Sequence, residues 1–365
     1  MITIKKISLN NIIEFIHSKE YKNFENKPIS HARALSYINN PHANKTDVVL
    51  FLALIQNELV GYRTVFADVF YEENHKIKFA WLSGNWTHPN HRRKKISTLL
   101  FKEVAKEWNN KLMYSNYAEA SKLVYDKTNQ FKTIKTLKGK RYYRRFCLAE
   151  LLPNKHLFFK KTKFILKGLD YFLNIFFLLK PQNKIDVSNY SIEKIKNWNS
   201  LEIKGFLNQY KKEELFKRDL NTYNWILDYP WIKTDTQTAQ FSKKYYFSSY
   251  AKVFKNNFYV LKKDNNIIAV INISIRDKHL KIPYFYGTIE NIQPVIQWIN
   301  KQSKECNINY LTVYDTKINQ ELNKHKFLFK KDFTQKFIAT KTLTEKHQKI
   351  DKMKIQTGDG DTVFT

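Results

Sequence analysis

The sequence predicts a mixed α/β fold, an α+β arrangement on a mixed sheet, laid down twice along one chain of 365 residues. Three observations carry that expectation. An apolar hairpin pattern occurs once in each half, the same succession of helices and strands surrounds both hairpins, and a long apolar helical stretch separates the halves.

Residues 48–63, VVLFLALIQNELVGYR, predict two strands around an Asn57-Glu58 turn, and residues 258–273, FYVLKKDNNIIAVINI, predict two more around Asn265-Asn266. A helical stretch precedes each: Ile29 to Asn39 with Arg33 and Tyr37, and Glu213 to Leu227 with Arg218 and Tyr223. After each hairpin a third strand is expected, near 76–87 and 279–286. A helix follows (94–108 and 290–304), then a short strand (112–116 and 309–315), a second helix and a further strand.

Between the halves lies Leu157 to Lys180, LFFKKTKFILKGLDYFLNIFFLLK. Its polar positions Lys160, Lys163, Lys167, Asp170 and Asn174 recur three and four apart, one narrow stripe on an otherwise apolar helix. Lys167 and Asp170 break the apolar run, so no membrane span is predicted. Two readings stand: a connecting helix buried against both domains, or an interfacial membrane anchor. The first is the expectation, since duplicated domains need a shared contact surface.

The formal charge is +30, yet only nine of the 63 basic residues are Arg. The rest are scattered Lys, so nucleic acid is not the expected partner, because Arg is the residue suited to bidentate phosphate and base contacts. A phosphate-rich small ligand or an anionic surface accounts for the charge as well. Two cysteines, Cys147 and Cys306, make neither a disulfide framework nor a metal cluster, and no metal is predicted. The opening residues alternate polar with apolar, which predicts no secretory leader and a cytoplasmic protein.

Chemistry concentrates in residues 86–108, WTHPNHRRKKISTLLFKEVAKEW. A strand ends at Thr87, a turn with Pro89 follows, and Arg92, Arg93, Lys94 and Lys95 lead into a helix whose apolar face is Ile96, Leu99, Leu100, Val104 and Trp108. Strand, basic loop and helix N-terminus together hold a pyrophosphate: free backbone N–H groups and the positive helix end meet the anion, and Arg or Lys neutralises it.

This segment resembles the coenzyme-A loop of the GNAT acetyltransferase superfamily, a strand followed by P-x-x-R-x-x-G-x-G/A and an apolar helix. Pro89, Arg92 and Ser97 match; Lys95 stands where the family has Gly. Downstream, the strand from Leu112 to Asn116 and then Ala120-Ser121-Lys122-Leu123-Val124-Tyr125-Asp126-Lys127 with Phe131 resemble the family's A-x-x-x-Y-x-K-x-G-F helix, with Asn129 near the usual Gly. The resemblance implies acetyl-CoA as co-substrate, held by Trp86, Thr87, Arg92, Arg93, Lys94, Lys95, Ile96, Ser97, Asn116 and Ser121. It implies that backbone N–H groups near Trp86 and Thr87 polarise the thioester carbonyl and that Tyr125 protonates the departing thiolate. The strand 76–87 has no Asp or Glu, the family's usual base position, so His88 is the candidate base beside a water chain, and an exposed loop histidine is an equal reading.

The second half reads Tyr286-Gly287-Thr288-Ile289-Glu290-Asn291 at the corresponding place, with no basic loop. The expected division is therefore an acetyltransferase domain over 1–150, a connecting helix over 151–183, a degenerate GNAT-like copy over 184–345, and a tail over 346–365. The tandem order is similar to bacterial two-domain acetyltransferases and to the FemABX-like transferases. The expected activity is acyl transfer from acetyl-CoA to an amine, an amino sugar or a cell-envelope precursor. Two readings stand beside it: a FemABX-like aminoacyl transferase at the membrane, with peripheral contact at an anionic inner face, and an inactive GNAT-like binding protein. The acidic tail Thr357-Gly358-Asp359-Gly360-Asp361 reads as a turn or as a segment that folds back to offer carboxylates to an acceptor amine.

Overall fold

The computed structural model describes residues 1–73, 75–115, 125–126, 128–178, 190–196, 198 and 200–365. In chain order its strands are β1 (Thr3–Ser8), β2 (Val48–Ile55), β3 (Glu58–Glu72), β4 (His75–Thr87), β5 (Leu112–Ser115), β6 (Phe131–Tyr143), β7 (Tyr190–Lys194), β8 (Phe254–Lys263), β9 (Asn266–Arg276), β10 (His279–Lys281), β11 (Phe285–Gly287), β12 (Tyr310–Val313) and β13 (Phe329–Thr340). The helices of the first stretch are α1 (Ile12–His17), α2 (Lys19–Asn23), α3 (His31–Ile38) and α4 (Ile96–Glu107); later helices are given by residue range. The mixed α/β class expected from the element order is what the chain adopts.

The chain divides into two compact units, and neither is continuous in sequence. The first takes 1–137, 197–254 and 335–365; the second takes 138–196 and 255–334. The chain leaves the first unit within β6, rejoins it over 197–254, leaves again at the start of β8 and returns within β13. Residues 346–365, expected as a tail, are part of the first unit.

In the first unit β1, β2, β3 and β4 run antiparallel in sequence order, β5 joins β4 in parallel, and the end of β13 pairs antiparallel with β5. Six of the eight residues of β2 are buried without alternation, so both faces of the strand are covered. On one face α4 packs Ile96, Leu100, Phe101 and Val104 against Phe51, Val60, Val65 and Leu82. On the other, the Phe66 ring meets Tyr37, Trp225, Trp231 and Phe364 at centroid distances of 5.6–6.3 Å. The β2–β3 turn is Gln56–Asn57, with φ of 49° and 67°, and the β8–β9 turn is Asp264–Asn265, with φ of 49° and 64°. Both are centred one residue earlier than expected, with Asn in the second left-handed position that it tolerates.

The helix expected over Glu213 to Leu227 begins only at Leu220. Asp219 caps it, its carboxylate accepting from the Thr222 N–H at 2.8 Å. Residues 212–219 are left outside any helix and carry Arg218 into the core. There Arg218 forms a fork onto Asp68, with Nη1–Oδ1 at 2.6 Å and Nη2–Oδ2 at 2.8 Å, and its Nε donates to Asp359 Oδ1 at 3.0 Å. Trp81 Nε1 donates to Asp68 Oδ2 at 2.7 Å. Burial works to raise the Asp68 carboxyl, but the charge and hydrogen bonds of Arg218, together with His42 and the Trp81 N–H, hold the group below the ordinary range.

The second unit orders its strands β6, β12, β10, β9, β8, β7, with β11 also on β9. Only the 140–143 end of β6 takes part, antiparallel to β12. The single third strand expected near 279–286 is split in two: β10 pairs with both β9 and β12, while β11 pairs with β9 alone. Helix 292–305 covers this sheet with Ile292, Val295, Ile296 and Ile299.

The apolar connecting segment forms helices 157–161 and 163–178. The expectation of burial is overturned. Phe158, Phe164, Leu169, Tyr171 and Phe172 are exposed, while polar Asp170 and Asn174 face the protein. The physical reason is local: backbone groups at 146–149 need partners, and the polar stripe supplies them. Among the described residues, no helix is long and apolar enough to cross a membrane.

Replacing Arg218 with Met is expected to lower the unfolding free energy by about 3–5 kcal/mol, since Asp68 then stays buried and charged without its partner. Urea denaturation followed by circular dichroism measures this; a loss below about 1 kcal/mol contradicts the assignment.

Candidate active site

The site grows from the place where two strands part. β4 and β5 are paired only at Ala80–Leu112 and Trp81–Met113. Beyond them β4 continues to Thr87 with β3 as its partner, and among the described residues no strand pairs with its other edge. At the end of that edge the chain turns through Pro89–His91 and the basic run into α4.

Arg92, Arg93, Lys94 and Lys95 are exposed, while Ile96 is buried and anchors α4. Arg93 and Lys95 take positive φ, 65° and 59°. Lys95, where the resembling motif has Gly, therefore adopts the left-handed backbone that favours Gly, at a cost of about 1–2 kcal/mol. Its side chain lies in solvent, and among the described residues no side chain caps the start of α4. Free N–H groups in the first turn and four exposed cations suit a pyrophosphate.

Beneath this loop sits a buried polar group. Arg63 on β3 lies opposite Asn85 on β4, and its Nη1 donates to the Tyr125 hydroxyl at 2.6 Å. Ser97 Oγ, in the first turn of α4, bonds Asn85 at 3.0 Å and lies 3.5 Å from Arg63 Nη2. Because the guanidinium donates to the phenol oxygen, the phenol's own proton is free to point elsewhere. The Tyr125 ring is fixed by Tyr114, Phe131 and Phe101 at 4.6, 5.0 and 5.7 Å.

A carboxylate stands at the gap itself. Asp361 Oδ2 accepts from Ser83 Oγ on β4 at 3.0 Å, and Oδ1 lies 3.4 Å from Ser115 Oγ at the end of β5. Each serine stands two residues beyond the last pair between these strands, Trp81–Met113. Gly360 delivers it at φ 92°, and a Cβ there would stand 3.4 Å from Ser115 Oγ and 3.6 Å from the Trp81 ring. The segment is held by the Asp359–Arg218 pair and by Phe364, stacked on Trp231 at 4.8 Å. Burial pushes the Asp361 carboxyl above its ordinary range, against the opposing charge of Arg33.

Arg33 on α3 is 4% exposed. Its Nη1 donates to Thr64 Oγ1 at 3.2 Å, and its guanidinium lies 4.0 Å over Trp231. Among the described residues no carboxylate lies within ion-pair distance of it. Burial opposes its charge, while Tyr245, Tyr37, Asp361 and Tyr62 favour it. The buried hydroxyls of Tyr62 and Tyr245 have no partner among the described residues, while that of Tyr37 is turned toward Thr64. Gly84 makes room here, since a Cβ would fall 2.6 Å from Thr64 Oγ1 and 3.2 Å from Arg33 Nη1.

Of the residues expected from sequence, Trp86 is buried and stacked on Tyr62 at 5.4 Å, and Thr87 pairs with Gly61. His88 is half-buried, and its Nδ1 accepts from the Asn90 N–H at 3.2 Å. Asn116 and Ser121 lie outside the described residues. Sequence reasoning did not single out Arg63 or Arg33 for the site. It raised the acidic tail only as an alternative, and the one signal for Asp361 was an acid beside Gly in an otherwise basic chain.

No family model matches the sequence, and no curated protein does. Solved structures do match. A GCN5-related N-acetyltransferase from Anabaena variabilis is 9% identical, with a TM-score of 0.51, over 93% of this chain and 72% of that one. An N-myristoyltransferase from Saccharomyces cerevisiae, solved with bound myristoyl-CoA, is 11% identical with a TM-score of 0.54, over 93% and 78%. At such identities the likeness is one of fold: this chain has the fold shared by GCN5-related N-acetyltransferases and N-myristoyltransferase.

Proposed function

We propose that the protein transfers an acyl group, acetyl in the simplest case, from a coenzyme-A thioester to an amine. The observation that carries this reading is Asp361, set across the gap between β4 and β5 and joined to Ser83 and Ser115. The basic loop with its free helix N-terminus supports a coenzyme pyrophosphate there, and the left-handed backbone at Lys95 counts against a decayed loop.

The chain's residues divide the work as follows. The open edge of β4 stabilises the oxygen that becomes negative as the amine nitrogen attacks the thioester carbon. Asp361 accepts the proton lost by the amine; its raised pKa makes it a stronger base than an exposed carboxylate. Tyr125, oriented by Arg63, gives its proton to the departing thiolate as the C–S bond breaks, and an amide and a thiol remain. His88 keeps a structural part at the loop. Arg33, buried beside unpaired tyrosine hydroxyls, favours an acceptor that carries an anionic group besides its amine, as a cell-envelope precursor or an acidic amino sugar does.

Arg92→Ala is expected to weaken coenzyme-A binding by about 1–3 kcal/mol in calorimetry; unchanged affinity removes the loop from the donor site. Tyr125→Phe should lower kcat about 10²–10⁴-fold and leave coenzyme affinity intact. Full turnover by that variant would take Tyr125 out of the mechanism. Asp361→Asn should bring a similar loss in kcat/KM and abolish its acid limb. With the carboxyl raised, activity in the unmodified protein falls as pH drops through a value above the usual carboxylate range. A pH–rate profile that keeps this limb in the variant assigns the base elsewhere.

A further inference from the structure

The helix over residues 163–178 is turned the wrong way round for a helix of a water-soluble surface. Between 163 and 175 only Leu166 is buried and only Asp170 and Asn174 are half-buried, a single stripe at four-residue spacing. That stripe is fixed to the protein by polar bonds. The Asp170 carboxylate accepts from the N–H groups of Leu148 and Ala149 at 2.7 and 2.9 Å, at the start of helix 148–151. Asn174 closes a pair with Phe146, accepting from its N–H at 2.8 Å and donating to its carbonyl at 2.9 Å.

The remaining faces carry large apolar side chains into solvent: Phe164 at 75% exposure and Phe172 at 62%, with Ile165, Leu169, Tyr171 and Ile175 around them. The preceding helix 157–161 adds Leu157 and Phe158 at 71% and 60%. An apolar surface of this extent marks an interaction site. Its surroundings identify the partner by charge. Lys155, Lys160, Lys161, Lys163 and Lys167 are all exposed, and from 151 to 178 the one acidic residue is Asp170, already engaged.

We propose that this helix docks the protein on the surface of an anionic lipid bilayer, lying in the plane of the interface. Sixteen residues span about 24 Å at 1.5 Å per residue, a length that lies flat and does not cross. The apolar side chains enter the acyl boundary, Tyr171 sits at headgroup level, and the lysines reach lipid phosphates. A second copy of the chain fits less well as occupant, since two such faces would bring like-charged lysines together. The inference stands apart from the acyl-transfer reading and does not depend on it.

The test is flotation of the full chain with vesicles of phosphatidylcholine alone and of phosphatidylcholine with phosphatidylglycerol. The unmodified protein should float with the anionic vesicles and not with the neutral ones. Phe164→Glu with Phe172→Glu, both at exposed positions, should remain at the bottom of the gradient with an unchanged circular dichroism spectrum. Lys163→Glu with Lys167→Glu should weaken binding tenfold or more, roughly, given about 1 kcal/mol for each basic residue near such a surface. No flotation of the unmodified protein overturns the proposal outright. So does flotation that survives the Phe substitutions, and so does sedimentation as a dimer that those substitutions dissociate in the absence of lipid binding.

Discussion

Three stretches of chain from the first unit meet at the Arg218 guanidinium. Asp68 comes from β3, Arg218 from the segment before helix 220–228, and Asp359 from the turn ahead of Gly360. Each partner is buried, so none can fall back on water when another is lost. The geometry of the site follows from this contact. Asp359 fixes the turn, the turn places Gly360 against Trp81, and Gly360 sets Asp361 between Ser83 and Ser115. Trp81, which donates to Asp68, also belongs to the last pair before β4 and β5 separate. One ionic contact thus holds both the walls of the gap and the carboxylate inside it.

The other two buried arginines of this unit differ in kind. Arg218 is saturated by carboxylates, whereas Arg63 meets a phenol and a serine, and Arg33 meets a threonine and the face of an indole. A buried guanidinium whose direct partners among the described residues are neutral keeps electrostatic capacity for a negative charge that arrives later. In a chain so rich in Lys, Arg is used where a rigid, permanently charged fork is needed. The large net charge resides mainly in Lys and says little about the site.

Much of the fold was legible in the sequence because its signals are local. The apolar spacing of α4 and the asparagines of both hairpins predicted elements within a residue or two. The loop from Arg92 to Ser97 was legible for the same reason: a strand end, basic residues and a helix start lie next to one another. Long-range partners left no such mark. Nothing near Ser83 or Ser115 announces that Asp361 will lie between them, and Arg33 reads as an ordinary helix residue until Trp231 and Tyr245 close over it. The pairing of β13 with β5 was hidden likewise, since a strand's own pattern does not name its neighbour. For helix 163–178 the stripe was visible but its direction was not. The usual assumption turns the apolar side inward, and here the unsatisfied backbone at 146–149 claimed the polar side.

The interleaving of the two units has a consequence for how the protein comes to be folded. Asp68 and Arg218 are 150 residues apart, and Arg218 and Asp359 are 141. The loop-closure entropy of both contacts must be met before either stabilises anything. Residues 335–365 belong to the unit that also holds the first residues of the chain. During synthesis that unit therefore waits, with strand edges and aromatic faces uncovered, until its last segment has left the ribosome. Contacts of such sequence separation slow folding in general, and strand edges left uncovered in the meantime favour aggregation.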